Sequence, residues 1–169
     1  LQRVYFMVSD GEPADRLIKN GPIIDPEHFL TIRAIKMYAD GALGSRGAAL
    51  LEEYSDYDGK GVFIFLEEDT KPRLAKALQQ GIQIGTHAIG DHGNRVVLDW
   101  YEETFSKAKK NNQIFESPRW RIEHSQNIMP VDQRRFVELD IIPSMQPSHA
   151  IGDLHFAVER LGLERINNA

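Results

Sequence analysis

The sequence predicts an α/β fold, a parallel sheet covered by helices and built from βα units of the kind that make a barrel. Short apolar strands alternate with amphipathic helices along the 169 residues. That alternation favours a parallel sheet, because each crossover helix buries its apolar stripe on the strands it connects. The segment from Gly81 to Asp91 is the clearest unit. Ile82 and Ile84 alternate as in a strand, the strand ends at His87, and Gly90-Asp91 stops it ahead of a long helix. A second strand ends in His124, 37 positions later, close to the roughly 31 residues per unit of an eight-unit barrel.

The elements follow in order. Residues 1–8 read as a strand, closed by the turn signal Ser9-Asp10-Gly11. A short helix over 13–19 has Pro13 early and Gly21-Pro22 after its end. Residues 29–39 form the next strand, and the glycine-rich stretch 40–47 is a loop. Residues 48–68 continue it as a long loop, with a possible small strand in the apolar run 62–66. Thr70 caps a helix to Gln80, with Leu74, Ala75 and Leu78 on one face and Gly81 at its end. After the His87 strand, Asp91 reads as an N-cap and 94–110 as a helix; Val97, Trp100, Tyr101, Thr104 and Ala108 recur at three- and four-residue steps. Trp100, Tyr101 and Phe105 are expected in the core. Then come a strand at 119–124, a helix from Pro130 to about Leu139, a strand at 140–146 and a helix at 153–161. The organisation expected is one domain over 1–169.

Bulk properties exclude several functions. The net charge of -5 gives no electrostatic reason for nucleic acid or an anionic membrane as partner. No apolar run reaches the length of a membrane span. With no cysteine there is no disulfide or thiolate metal site, which fits a cytoplasmic protein. The chain starts at Leu1 in an apolar strand without signal-peptide architecture and ends at Ala169 without a closing element. Both features lead us to expect a piece of a longer protein.

The chemistry-bearing residues gather at strand ends. Lys36, His87 and His124 each close a strand, and Gln146 and His149 follow a fourth. In a parallel sheet these ends share one side, so the side chains converge there. Imidazole suits zinc and related ions, whereas a lysine ligates only once its amine is carboxylated. Plainer readings stand beside these: His87 as a hydrogen-bonding residue, His124 ion-paired with Glu123, Lys36 as a snorkelling or paired lysine, Asp40 paired with Arg46 or capping the loop. His28, His92 and His155 are assigned to the surface.

Four blocks carry a family resemblance: Ile35-Lys36-Met37-Tyr38-Ala39-Asp40-Gly41-Ala42-Leu43-Gly44-Ser45-Arg46, Thr86-His87-Ala88-Ile89-Gly90-Asp91, Arg121-Ile122-Glu123-His124-Ser125-Gln126 and Met145-Gln146-Pro147. In order and spacing they resemble the amidohydrolase superfamily, closest to its family 3 branch, which includes N-substituted formamide deformylase.

The resemblance implies a (β/α)8 TIM barrel, of which the chain would hold about strands 3 to 7. It implies a site with one or two divalent metal ions, zinc foremost. Lys36, carboxylated, would match the bridging lysine, and His87 and His124 the histidine ligands of the next two strands. Asp40, Arg46, Gln146 and His149 would line the substrate pocket. An activated hydroxide would attack an amide carbonyl of a small-molecule substrate. The family's His-x-His pair and its proton-transferring aspartate have no counterpart here, so no catalytic base is expected within the chain, and the piece alone is expected to be inactive. Two other readings compete. One is a non-catalytic barrel remnant that forms homo-oligomers through open sheet edges. The other is a Schiff-base aldolase with Lys36 as nucleophile, disfavoured by the two strand-end histidines and the lack of a phosphate-binding glycine loop.

Overall fold

The structure is a computed structural model that describes residues 2–113 and 115–168. Leu1, the expected first residue of the first strand, and Ala169, the expected chain end, lie outside the described residues. Five strands run parallel: β1 (Val4–Ser9), β3 (Leu30–Tyr38), β4 (Gln83–Ala88), β5 (Arg121–His124) and β6 (Ile142–Ser144), adjacent in that order. A two-residue strand, β2 (Ile23–Ile24), pairs antiparallel with the start of β3. It is too short to leave a periodic signal in the sequence.

The helices are α1 (Glu12–Asn20), α2 (Glu67–Gln79), α3 (Asp91–Lys110), α4 (Pro130–Glu138), α5 (His149–Gly152) and α6 (Ala157–Arg165). Alternation along each strand divides the sheet into two faces. Ile35, Met37, Ile84, Ala88 and Ile122 face the helices and form one core with Leu17, Leu74, Leu78, Val97, Leu98, Tyr101, Phe105, Trp120 and Phe136. The indole of Trp120 is fully buried, and its Nε1 donates to the Ile82 carbonyl at 3.0 Å. Tyr5, Lys36, Tyr38, Gln83, His87 and Glu123 lie on the other face, where Tyr5 Oη donates to Gln83 Oε1 at 2.8 Å. The expected core residues Trp100, Tyr101 and Phe105 are buried.

Several expected boundaries move. The helix expected from Thr70 begins at Glu67: Thr70 Oγ1 donates to the Leu66 carbonyl at 2.8 Å rather than capping, and Pro72 lies inside α2, where it has no amide to offer the Glu68 carbonyl. Asp91 is the first helical residue, not the cap, and its Oδ1 accepts from the amides of Leu51 and His92, both at 2.9 Å. The apolar run 62–66 forms no strand; it touches the sheet through an isolated bridge between Asp40 and Phe63 and an Ile64 amide bond to the Ala39 carbonyl at 2.9 Å. The C-terminal helix expected over 153–161 starts late: 153–156 are turns, α6 begins at Ala157 and runs on to Arg165, and the short α5 falls ahead of the expected span. No helix among the described residues is long and apolar enough to cross a membrane.

The long loop has a core of its own. Leu43, Ala48, Leu50 and Tyr54 pack with Ile89, Ala157 and Leu161. Ion pairs lock this layer, because Asp56 accepts from both Arg46 and Arg160. The loop and α6 therefore form one body over the C-terminal ends of the strands.

Candidate functional site

The strand-end residues meet on the face away from the helices. Tyr38 pairs with His87, and His87 with Glu123, so these three stand at one level; Lys36 pairs with Gly85, two residues lower. His124 pairs with Ala88, and by alternation it belongs to the helix-covered face. The backbone overrides that expectation. His124 and Ser125 have φ of 74 and 45, the left-handed region that non-glycine residues seldom adopt. This twist turns the His124 ring toward His87, edge-on at 4.5 Å between centroids. Beyond it, His149 stacks on His124 at 5.5 Å.

Each side chain is held in turn. His124 Nδ1 lies 2.5 Å from Gln146 Oε1, and Nε2 has no hydrogen-bond partner among the described residues. His149 Nδ1 lies 2.7 Å from Gln126 Oε1. His87 Nε2 is 3.5 Å from Asp40 Oδ1 and 3.4 Å from the Gly41 carbonyl. Lys36 Nζ donates to the Met37 carbonyl at 3.0 Å and sits 3.9 Å over the Tyr38 ring.

Burial sets the protonation. It pushes the His87 imidazole down to about 4, with the nearby His124, Lys36 and His149 adding to the effect against the Gly41 hydrogen bond. His124 is lowered for the same first reason. Burial also brings the Lys36 ammonium down to about 8, although Glu123 opposes the shift. At neutral pH the site therefore offers two uncharged imidazoles and an amine easier to deprotonate than a surface lysine.

Asp40 does not line an open pocket. It is 1% exposed, and its oxygens accept from the backbone amides of Ile89 (3.0 Å), Gly90 (2.8 Å) and Ala49 (2.9 Å). Burial raises its carboxyl to about 6 against the lowering effect of those amides. Two asparagines finish the clamp. Asn94 Nδ2 donates to the Gly90 carbonyl at 2.9 Å and to that of Asn127 at 3.1 Å, and Asn127 Nδ2 to the Ile89 carbonyl at 3.0 Å. The turn that carries His87 out of β4 is thus tied to β3, α3 and the segment after β5.

Arg46 does not join the site. Its guanidinium makes a two-point ion pair with Asp56, at 3.1 and 2.8 Å, and no contact among the described residues links it to Asp40 or the histidines. His92, expected on the surface, is partly buried and edge-on to Phe63 at 4.8 Å. Asn94 and Asn127 left no signal in the sequence, because each acts through backbone atoms that only the fold brings near.

The donors fit part of a metal centre. Two neutral imidazoles converge from adjacent strand ends, one with its second nitrogen fixed by a side-chain amide, as metal-binding histidines require. Among the described residues, however, no three His, Asp or Glu side chains are grouped so as to hold an ion.

The model of the amidohydrolase family matches residues 3–169. The chain belongs to the amidohydrolase family. It is 34% identical over 152 residues to Protein LONG AFTER FAR-RED 3 of Arabidopsis thaliana, covering 89% of this chain and 25% of that protein. It is 30% identical over 142 residues to the putative amidohydrolase YtcJ of Bacillus subtilis (strain 168), covering 83% and 25%. Two solved structures share the fold, both described as uncharacterized metal-dependent hydrolases. The one from Pyrococcus furiosus has a TM-score of 0.83 and 29% identity over 99% of this chain and 33% of that chain. The one from Pyrococcus horikoshii OT3 has a TM-score of 0.83 and 31% identity over 99% and 32%. The chain thus spans 25% of the length of these curated relatives. Family membership makes it part of a hydrolase fold whose structural neighbours depend on metal.

Proposed function

We propose that the whole protein hydrolyses amide or other C–N bonds of a small molecule with a divalent metal ion, zinc being the best fit to imidazole donors. The observation that carries this reading is the edge-on pair of neutral imidazoles, His87 and His124, at adjacent parallel strand ends. A divalent ion, when bound, supplies electrophilic polarisation of the carbonyl and acidifies a water.

The chain's residues supply the rest. His87 and His124 are the ligands. Gln146 holds the His124 tautomer, and the Asp40–Asn94–Asn127 clamp fixes the turn beyond His87. Lys36 becomes a ligand by carboxylation, a step that needs the neutral amine its lowered pKa favours. His149 and Gln146 line the approach for substrate. The remaining ligands and the proton-transferring base belong to the length of the relatives that this chain does not span, so the chain alone turns over poorly or not at all.

The test is metal content and amide hydrolysis, measured on this chain and on a full-length protein. Full-length protein should carry metal and lose activity with a chelator, and His87→Ala or His124→Ala should each lower metal affinity at least about tenfold. Activity that survives complete metal removal sinks the proposal. Strong turnover by this chain alone sinks the claim of incompleteness.

The exposed apolar residues of edge strand β1, Val4, Tyr5 and Phe6, favour a second reading, in which the chain self-associates through open sheet edges. A monomer by light scattering at all concentrations removes it.

A further inference from the structure

A relay of three side chains stands behind the paired imidazoles. It runs from Asp153 through Gln126 to His149 and ends on the ring of His124.

The turn at α5 supplies the first and last members. The Asp153 amide donates to the His149 carbonyl at 3.0 Å, so the two residues sit one helical turn apart and their side chains share a face. Gln126, two residues past His124, spans both. Its Nε2 donates to Asp153 Oδ2 at 2.6 Å, and its Oε1 lies 2.7 Å from His149 Nδ1. One side-chain amide thus fastens a helical turn to the end of β5. The Asp153 carbonyl accepts from the amides of Phe156 and Ala157, at 3.0 and 2.8 Å, which ties the same turn to the start of α6. Every one of these bonds joins groups of this chain, and none depends on an open surface or an unpaired charge.

Donor and acceptor chemistry fixes the protons. A carboxylate only accepts, so the NH2 end of Gln126 must face Asp153. The Gln126 oxygen therefore faces His149, and an amide oxygen also only accepts. His149 must then carry a proton on Nδ1.

The relay reaches His124 by two links. The His149 ring stacks on that of His124, 20° from parallel with centroids 5.5 Å apart, while His87 meets the His124 ring edge-on at 4.5 Å. The His149 amide also donates to the Gln146 carbonyl at 3.0 Å, and the Gln146 side chain contacts His124 Nδ1. A ring packed on this way cannot turn without moving His149.

We propose that Asp153 and Gln126 are positioning residues of the histidine site: Asp153 orients the Gln126 amide, and Gln126 holds His149 as its Nδ1–H tautomer against the ring of His124. The consequence for metal binding rests on the reading of His124 as a ligand; the tautomer does not.

The test uses the full-length protein with isotope-labelled histidine, metal-free, at about pH 8, above the usual imidazole range. Ring-nitrogen shifts are read by NMR, and the His149 signals are identified by their loss in His149→Gln. The expected spectrum has the His149 proton on Nδ1 alone. Asp153→Asn keeps the size of the side chain but offers a donor as well as an acceptor, so it permits both Gln126 orientations. It should turn His149 into a mixture of tautomers while thermal unfolding shows the fold intact, an effect that a merely structural role for Asp153 does not produce. Gln126→Leu removes both bonds and should lower zinc affinity about tenfold; Asp153→Asn keeps the test open if that variant does not fold. A proton on His149 Nε2 in the wild type, or an unmixed Nδ1–H tautomer in Asp153→Asn, would overturn the relay. Zinc affinity unchanged by Gln126→Leu, in a protein whose affinity His124→Ala lowers, would overturn the positioning of His124. Zinc affinity unchanged by His124→Ala sinks the ligand reading instead, and the tautomer then decides the relay by itself.

Discussion

Replacing Asp40 by alanine tests the clamp on the His87 turn, and the cost should depend on pH. The substitution strips the acceptors from three buried amides, those of Ala49, Ile89 and Gly90. Unpaired buried donors cost about 1–3 kcal/mol each, so the gross loss is about 5 kcal/mol. Against this stands the cost of ionising a buried carboxyl. The folded-state value of about 6 lies above the 3.8 of a free aspartate side chain, so the folded state holds the proton more tightly. The carboxyl's contribution to stability is therefore fully present below about pH 4 and falls as pH rises through 6. At pH 7 ionisation has removed about 3 kcal/mol, and at pH 4.5 about 1 kcal/mol. Asp40→Ala should therefore destabilise by about 2 kcal/mol at pH 7 and about 4 kcal/mol at pH 4.5. The assay is urea unfolding of wild type and variant at both pH values, with hydrogen exchange at the three amides. A cost that is independent of pH, or that shrinks toward acid, refutes this account of Asp40, as does retained exchange protection of all three amides in the variant.

Other outcomes follow from the same geometry. Gly90→Ala should destabilise by at least about 3 kcal/mol in chemical denaturation, because an added Cβ would lie 1.9 Å from the Ala49 carbonyl oxygen, a backbone atom held by the amides of His92 and Gly93 in a residue whose own amide Asp40 binds. Gly85→Ala should cost clearly less, since the nearest atom is the mobile end of Met7; equal costs contradict the clamp. NMR titration of the metal-free chain should show His87 neutral until about pH 4. Its folded value is depressed, so the unfolded chain takes up the proton first, and the stability difference between wild type and His87→Gln should move against wild type as pH falls from 6.5 to 4. A His87 midpoint near 6.5 would show that burial does not govern the ring.

The sequence by itself determined the order of the parallel strands and helices and which strand ends carry His87 and His124. Those features are local. Apolar periodicity selects strand or helix within a few residues, and Gly81, Gly90-Asp91 and Pro130 punctuate the elements where they stand in the chain. The placement of Trp120 and Tyr101 in the core belongs to the tertiary structure as much as to their apolar bulk, and several features belong to it alone. Alternation puts His124 on the helix-covered face, and only the left-handed backbone at His124 and Ser125 brings its ring to His87. Asp40 looks like a pocket residue or a partner for Arg46. It is instead committed to amides 49 and 50 positions away, while Arg46 and Arg160, far apart in sequence, share Asp56. The strand at Ile23–Ile24 exists only because β3 lies beside it. A buried charge or amide takes whichever partner the fold brings near, and the energy of that pairing depends on desolvation, which exists only once the chain has packed.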